Sequence, residues 1–229
     1  MRRQKRNKIW MGMLQLLLAG IVLSGCGSAG KENEIHIGYF NNVTHAQALY
    51  MKSQGKLEEM FGEEVSVLWT AFNAGPAEVE ALFSGQIDIG YIGPVPEPWG
   101  TTLEAAGAEI VLDYDEVYQE GDYPVAVVVV QNEFLKEHPK QVEQFLKAHQ
   151  EATSYISTHT KEAASVIHEE MESATGKSLG EDVLAEAFSK IVFETQVNEK
   201  AIYEFGEICR EQGFIAKSYD NIFADFPID

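Results

Sequence analysis

The 229 residues carry 17 basic and 36 acidic side chains, a formal net charge of −19. An acidic balance of that size argues against nucleic-acid and anionic-lipid partners, because long-range repulsion opposes both. The length and the 45% hydrophobic composition support one or two α/β units with a sizeable core, and two cysteines exclude a disulfide framework.

Arg2, Arg3, Lys5, Arg6 and Lys8 open the chain, Ile9 to Val22 is almost wholly apolar, and Leu23-Ser24-Gly25-Cys26 follows directly. That order is an export signal ending in what resembles a bacterial lipobox. Residues 1–26 are therefore expected to be a lipoprotein signal peptide, with Cys26 the acylated first residue of the mature chain. The competing reading is a single transmembrane anchor. Against it stand the small-small-Cys ending and Gly27-Ser28-Ala29-Gly30, which reads as part of a flexible tether over 27–33. A diacylglycerol with an added N-acyl chain supplies the multiple anchors that stable membrane attachment takes. Removal of the signal leaves twelve basic residues against 36 acidic ones, a net charge of −24. An anionic ligand would then have to be held locally, by oriented backbone dipoles.

Glu34 to Phe40 alternates like a strand and runs into Asn41-Asn42-Val43-Thr44-His45. Thr44 is expected to cap a helix starting near Ala46, which breaks at Gly55 and resumes through Leu57, Met60 and Phe61. Val65 to Trp69 is the next strand. It feeds Asn73-Ala74-Gly75, a loop opening a helix whose first turn accepts Pro76 and whose apolar face is expected at Val79, Leu82 and Phe83. Gly85 closes that helix, and Ile87, Ile89 and Tyr91 alternate along a third strand ending at Gly93-Pro94. The loop over 73–75 is expected to present backbone N–H groups at a helix N-terminus, which carries about half a positive charge and holds an anion without a lysine. Loops of this kind follow all three strands, and in an open α/β sheet they gather at the carboxyl edge, where ligands bind. Each polar residue there also has a plain structural reading: Thr44 as a cap, His45 as a solvated first-turn histidine, Asn73 as a partner for local backbone groups.

Three prolines at alternate positions are expected to make the backbone from Gly93 to Gly100 extended and exposed. Thr101 to Ala106 then reads as a short helix, and Glu109 to Asp113 as a strand. Tyr123 to Gln131 is a continuous apolar run of the kind found in strands buried on both faces. Beyond it the pattern is helical: Asn132 as a cap, Pro139 opening a long amphipathic stretch, Thr160 starting another, then helices through Val183 to Ile191 and Asn198 to Gln212. In the last, Ile202, Phe205, Ile208 and Cys209 are expected on the inner side, which makes Cys209 a small buried hydrophobe. No internal repeat is evident.

The sequence lacks a nucleophile elbow, a phosphate-binding loop and a dinucleotide fingerprint. His168-Glu169-Glu170-Met171-Glu172 begins like a zinc-protease helix without the second histidine, so no metal site is expected. Glu97 is a lone carboxylate in a proline-rich turn. Neither enzyme activity nor a cofactor is expected.

GYFNNVTHAQAL, FNAGPAEVEALFSGQIDIGYIGP, VPEPWG and FLKEHPKQVEQFLKAH together resemble the substrate-binding lipoproteins of ABC importers in the nitrate, sulfonate and taurine family, the aliphatic-sulfonate branch above all. The resemblance implies an α/β, type II periplasmic-binding-protein fold, in which two lobes close on a small anionic solute and dock on a membrane permease driven by its ATPase. It places ligand-facing residues at Asn41, Thr44, His45, Asn73, Ala74, Gly75 and Gly93. Glu97 and Trp99 match a motif facing the cleft from the other lobe, with Trp99 either packing on the ligand's alkyl part or serving the hinge. In the family a long stretch separates the two proline motifs; here Gly93-Pro94 passes straight into Val95-Pro96. The resemblance thus implies one near-complete lobe, its first part over 34–94, a remnant of the second lobe and the hinge over 95–122, and a return to lobe one with C-terminal helices over 123–229. Half a clamp implies weak, millimolar binding, about −4 kcal/mol. The expected function is capture of an aliphatic sulfonate at the extracytoplasmic face of a bacterial membrane. The alternatives are nitrate, taurine or a thiamine-precursor pyrimidine as ligand, or a degenerate lobe that serves only as a structural or interaction lipoprotein.

Overall fold

The structure is a computed structural model that describes residues 33–93, 99–107, 109, 123–176, 178–216 and 222–224. The chain divides into Met1–Glu34 and Ile35–Asp229, and the architecture is that of the second unit. The expected signal peptide, the lipidated Cys26, Glu97 and most of the strand expected over 109–113 lie outside the described residues.

Four strands form one sheet in the order β2-β1-β3-β4: β1 Glu34–Phe40, β2 Ser66–Phe72, β3 Ile89–Ile92 and β4 Val127–Val130. β1 and β3 run parallel with Ile37 opposite Ile89 and Gly38 opposite Gly90. β4 returns antiparallel to β3, with Ile92 opposite Val127. Between β1 and β2 lie a 3-10 turn over Val43–His45 and helices α1 (Ala46–Ser53) and α2 (Lys56–Phe61). Helix α3 (Gly75–Phe83) joins β2 to β3, and α4 (Trp99–Ala105) lies between β3 and β4. Five helices follow: α5 Asn132–Glu137, α6 Pro139–Thr158, α7 Thr160–Thr175, α8 Glu181–Ser189 and α9 Glu199–Glu211.

The period-two pattern of β1 turns Ile35, Ile37 and Tyr39 to one face, where they meet Leu49 and Met51 of α1 and Phe145, Ala152 and Ile156 of α6. Ala163, Ile167 and Met171 of α7 and Leu184, Ala187 and Phe188 of α8 complete this core. The opposite face carries a smaller cluster of Ala81, Leu82 and Ile87 with Phe72, Ile92 and Val129. An ion pair between Lys190 and Glu104 spans the packed helices α8 and α4.

Several expectations are corrected. Of the extended run expected from Gly93 to Gly100, Trp99 and Gly100 instead open the helix α4. β4 is four half-buried valines at the edge of the sheet formed by the described residues, rather than a strand buried on both faces. β2 runs on to Phe72, three residues beyond the expected end. Asn132 is the first residue of α5 and not its cap, a place taken by Gln131. On α3 the buried residues are Glu78, Ala81 and Leu82, while Phe83 is 83% exposed. Helix α9 is amphipathic and capped by Asn198, yet Phe205 and Ile208 remain 41% and 50% exposed and Cys209 is half-buried. Periodicity identifies an apolar face; it does not supply the neighbour that covers it.

Candidate functional site

Because β1 and β3 are parallel, the segment following Phe40 and the one following Ile92 leave the sheet at the same edge. Phe72, at the end of β2, brings its ring Cε2 to 3.1 Å from where a Cβ on Gly38 would lie, so the end of β2 sits beside the carboxyl half of β1. Asn41 to His45, Asn73 to Gly75, and Gly93 therefore share one region of the sheet.

The first of these segments is pinned by its own polar groups. Asn42 is buried; its amide donates to Phe40 O at 2.9 Å, its carbonyl accepts the His45 amide at 3.2 Å, and its Oδ1 accepts from Thr44 Oγ1 at 2.5 Å. Thr44 thus serves a local turn, and α1 begins without the side-chain cap expected from it, since His45 occupies the capping position and makes no such bond. Neither is His45 the solvated residue of the plain reading. It is wholly buried, stacks on Phe40 with ring centroids 4.9 Å apart, and accepts the Phe40 amide on Nδ1 at 2.9 Å. Burial lowers its pKa from 6.5 to about 3, so the ring is neutral and its proton sits on Nε2, which is buried without a partner. Asn41 Oδ1 is likewise buried and unsatisfied.

The second segment is open to solvent at Asn73 and Ala74, and a Cβ on Gly75 would meet nothing within 4 Å. Pro76 has no N–H, and the amides of Ala77 and Glu78 turn back to Ala74 O at 3.2 and 3.3 Å. The donors this terminus can offer an anion are the amides of Asn73, Ala74 and Gly75, in front of a nine-residue helix. Gly93 is under a different constraint: a Cβ there would lie 1.9 Å from Val125 O, so glycine is required by close backbone approach. Trp99 begins α4, and its side chain lies outside what is described; Glu97 does as well. Among the described residues no cluster of three or more histidine, cysteine or acidic side chains could hold a metal ion.

Two features were missed by the sequence reading. Glu78, on the first turn of α3, is completely buried, with its Oε1 only 2.6 Å from a Cβ placed on Gly38 and 3.1 Å from one placed on Gly90. The two glycines are register partners, and together they form the trough in which this carboxyl lies. Neither oxygen has a hydrogen-bond partner, and burial pushes the group up from 4.5 to about 7. A signal was present: Ile35-His36-Ile37-Gly38-Tyr39 and Ile87-Asp88-Ile89-Gly90-Tyr91 repeat one I-x-I-G-Y pattern. The second feature is the bond between Tyr91 on β3 and His149 on α6. It joins residues 58 positions apart and left no local mark in the sequence.

Comparison with known proteins gives three results. Residues 93–169 match the model of the NMT1-like family. A protein of Bacillus subtilis (strain 168) that carries the name of an aliphatic sulfonates-binding protein is 28% identical over 135 residues, which is 55% of this chain. The chain spans only 38% of that protein's length. Among solved structures, the periplasmic aliphatic sulphonate binding protein SsuA from Escherichia coli superposes with a TM-score of 0.67 at 13% identity, covering 83% of this chain and 96% of the other. The alkanesulfonate-binding protein SsuA from Xanthomonas axonopodis pv. citri, bound to MOPS, gives 0.67 at 13% identity, with coverages of 82% and 96%. At that identity the two structures speak for the fold alone: a mixed α/β periplasmic-binding-protein-like fold.

Proposed function

We propose that this chain, a relative of the NMT1-like and aliphatic sulfonate-binding proteins, is a substrate-binding component of an ABC import system and captures a small oxyanion, an aliphatic sulfonate in first place. The observation that carries the reading is that three segments leave one region of the sheet, one of them Asn73–Gly75 at the start of α3, exposed at Asn73 and Ala74. Oriented amides at a helix terminus suit a sulfonate, which needs several donors and no proton transfer. They also suit a chain whose acidic surface repels anions at long range.

In this reading Asn41 lies at the floor with the buried Thr44 and His45 supporting it from beneath, Gly93 forms the rim, and Glu97 with Trp99 the facing side. The segment over 95–122 is a shortened second lobe. Cys26 carries the lipid that holds the protein at the extracytoplasmic face, next to the permease and ATPase that it serves. The described helices include none long and apolar enough to cross a membrane.

The test is a thermal melt of the full chain in detergent, with and without millimolar ethanesulfonate, butanesulfonate, nitrate, taurine or an aminopyrimidine. A ligand of the native state raises the melting temperature by mass action. A shift with one alkanesulfonate supports the reading, and a shift with another of these solutes reassigns the ligand. A cooperative melt that none of them moves favours instead a lobe that only interacts with other proteins.

A further inference from the structure

Glu78 is the group that the proposed capture site leaves unused. Around it lie Gly38 and Gly90 beneath, the rings and methyls of Phe72 and Ile87, and no hydrogen-bond donor for either oxygen. An ionised carboxylate in such a trough would be a bare charge in apolar surroundings, and the neutral acid avoids most of that cost. The titratable groups on the packed elements do not change this. From β1 comes His36, two residues before Gly38; from the turn into β3 comes Asp88, whose Oδ2 accepts the His36 amide at 2.8 Å; from α3 itself comes the exposed Glu80. The sequences of β2 and β4 contain no ionisable side chain, and among the described residues no lysine or arginine lies on a strand or on α3.

We infer that Glu78 is a proton-operated latch: α3 seats on the sheet with Glu78 as the neutral acid, and it lifts, carrying the Asn73–Gly75 segment with it, when that proton is given up. Seated, the carboxyl titrates near 7; lifted into water it returns toward its ordinary 4.5. The lifted state therefore gains about tenfold in population for each pH unit between those two values and levels off above them. Control of anion capture by this latch rests on the function proposed above, because the segment that moves is the one assigned to hold the anion. The latch itself does not.

The experiment is hydrogen exchange of the full chain in detergent at pH 5, 6, 7 and 8, with rates corrected for intrinsic exchange. Peptides from α3 are read against peptides from α6 as an internal reference. The expected result is α3 protection that falls about tenfold per unit from pH 5 to 7 and is flat from 7 to 8, while Glu78→Gln and Glu78→Leu give α3 protection independent of pH. Protection of α3 that does not vary with pH in the native chain, or that varies equally in Glu78→Gln and Glu78→Leu, overturns the latch. If Glu78→Gln folds poorly, Glu78→Leu and the native profile still decide. Ethanesulfonate titrations at pH 5.5 and 7.5 separate the two ideas: no binding at either pH counts against the sulfonate reading and leaves the exchange result standing. Equal binding at both, with a pH-dependent α3, removes only the control of capture.

Discussion

Tyr91 Oη and His149 Nδ1 lie 2.8 Å apart, a hydrogen bond that ties the middle of the sheet to the long helix α6 beneath it. Tyr91 is 2% exposed, its ring lies 5.9 Å from that of His45, and burial raises its pKa well above 10. Burial also lowers His149 from 6.5 to about 4, so a neutral ring meets a neutral phenol. Replacing Tyr91 by Phe keeps the packing and orphans the imidazole nitrogen. The expected loss is about 1–2 kcal/mol, read as a lower urea midpoint at unchanged m-value.

His45 and His149 set an acid limit on stability. Both have folded pKa values below the ordinary 6.5, so the unfolded chain binds more protons and stability falls as pH drops below 6.5. The fall continues to about pH 4 for His149 and about pH 3 for His45. Each histidine contributes a slope approaching ~1.4 kcal/mol per pH unit in its window. Between pH 4.5 and 6.5 the raised pKa of Glu78 works in the opposite sense and offsets about one of these two protons. Melting temperatures should therefore fall toward acid there with a net slope of about one proton, and His45→Phe should remove most of it, at the cost of leaving the Phe40 amide without its acceptor. An unchanged slope in that variant would mean that His45 is not the titrating group.

The glycines divide by what surrounds them. Gly38→Ala puts a methyl 2.6 Å from both Glu78 Oε1 and Ile87 Cδ1 and should cost about 1–3 kcal/mol. Gly93→Ala meets the Val125 carbonyl at 1.9 Å, where no side chain can give way, and should prevent normal folding. Gly75→Ala meets nothing and should leave the melting temperature unchanged within error, while it narrows the approach to the α3 amides. Circular dichroism melts of the three variants order them.

The phase of α3 is tested by a neighbouring pair. Leu82→Ala should cost about 2–4 kcal/mol, since Leu82 is 7% exposed against Ile87 and Ala81. Phe83→Ser, at a residue 83% exposed, should change stability by less than about 0.5 kcal/mol. The reverse order would return the helix to the face expected from its sequence.

Asn198→Ala removes the only helix cap observed as a side-chain bond among the described residues, the 3.1 Å acceptance of the Ala201 amide by Asn198 Oδ1. About 1 kcal/mol is expected, concentrated in α9 and visible as faster hydrogen exchange there.

Strands β1 and β3 and helices α6, α7 and α8 were legible because each carries a clean period and a marked start, such as Pro139 or Thr160. That the segments after β1 and β3 leave the same edge of the sheet follows from a simpler rule: parallel strands put their following loops on one side. What escaped was set by contacts that no period marks. His45 reads as a first-turn histidine until Phe40, five residues earlier, folds its amide back onto Nδ1. On α3 the apolar residues Val79, Leu82 and Phe83 mark a face of which Leu82 is buried and Phe83 is not, because two glycines on neighbouring strands vacate the space that takes Glu78 inward. The last helix shows the converse error, as Phe205 and Ile208 form an apolar stripe that remains substantially exposed.

The antiparallel pairing of β4 with β3 has a bearing on how a chain of this topology can vary in length. Ile92 and Val127 are directly opposed, so the chain departs from the sheet and rejoins it at neighbouring points. Whatever is spliced into that interval, a helix or an entire domain, imposes no change of spacing on the strands that flank it. Loss of a lobe there would be mechanically silent for the remaining fold. Natural selection could then trim or extend the interval in steps, each leaving a protein that still folds and whose solute site alone is altered.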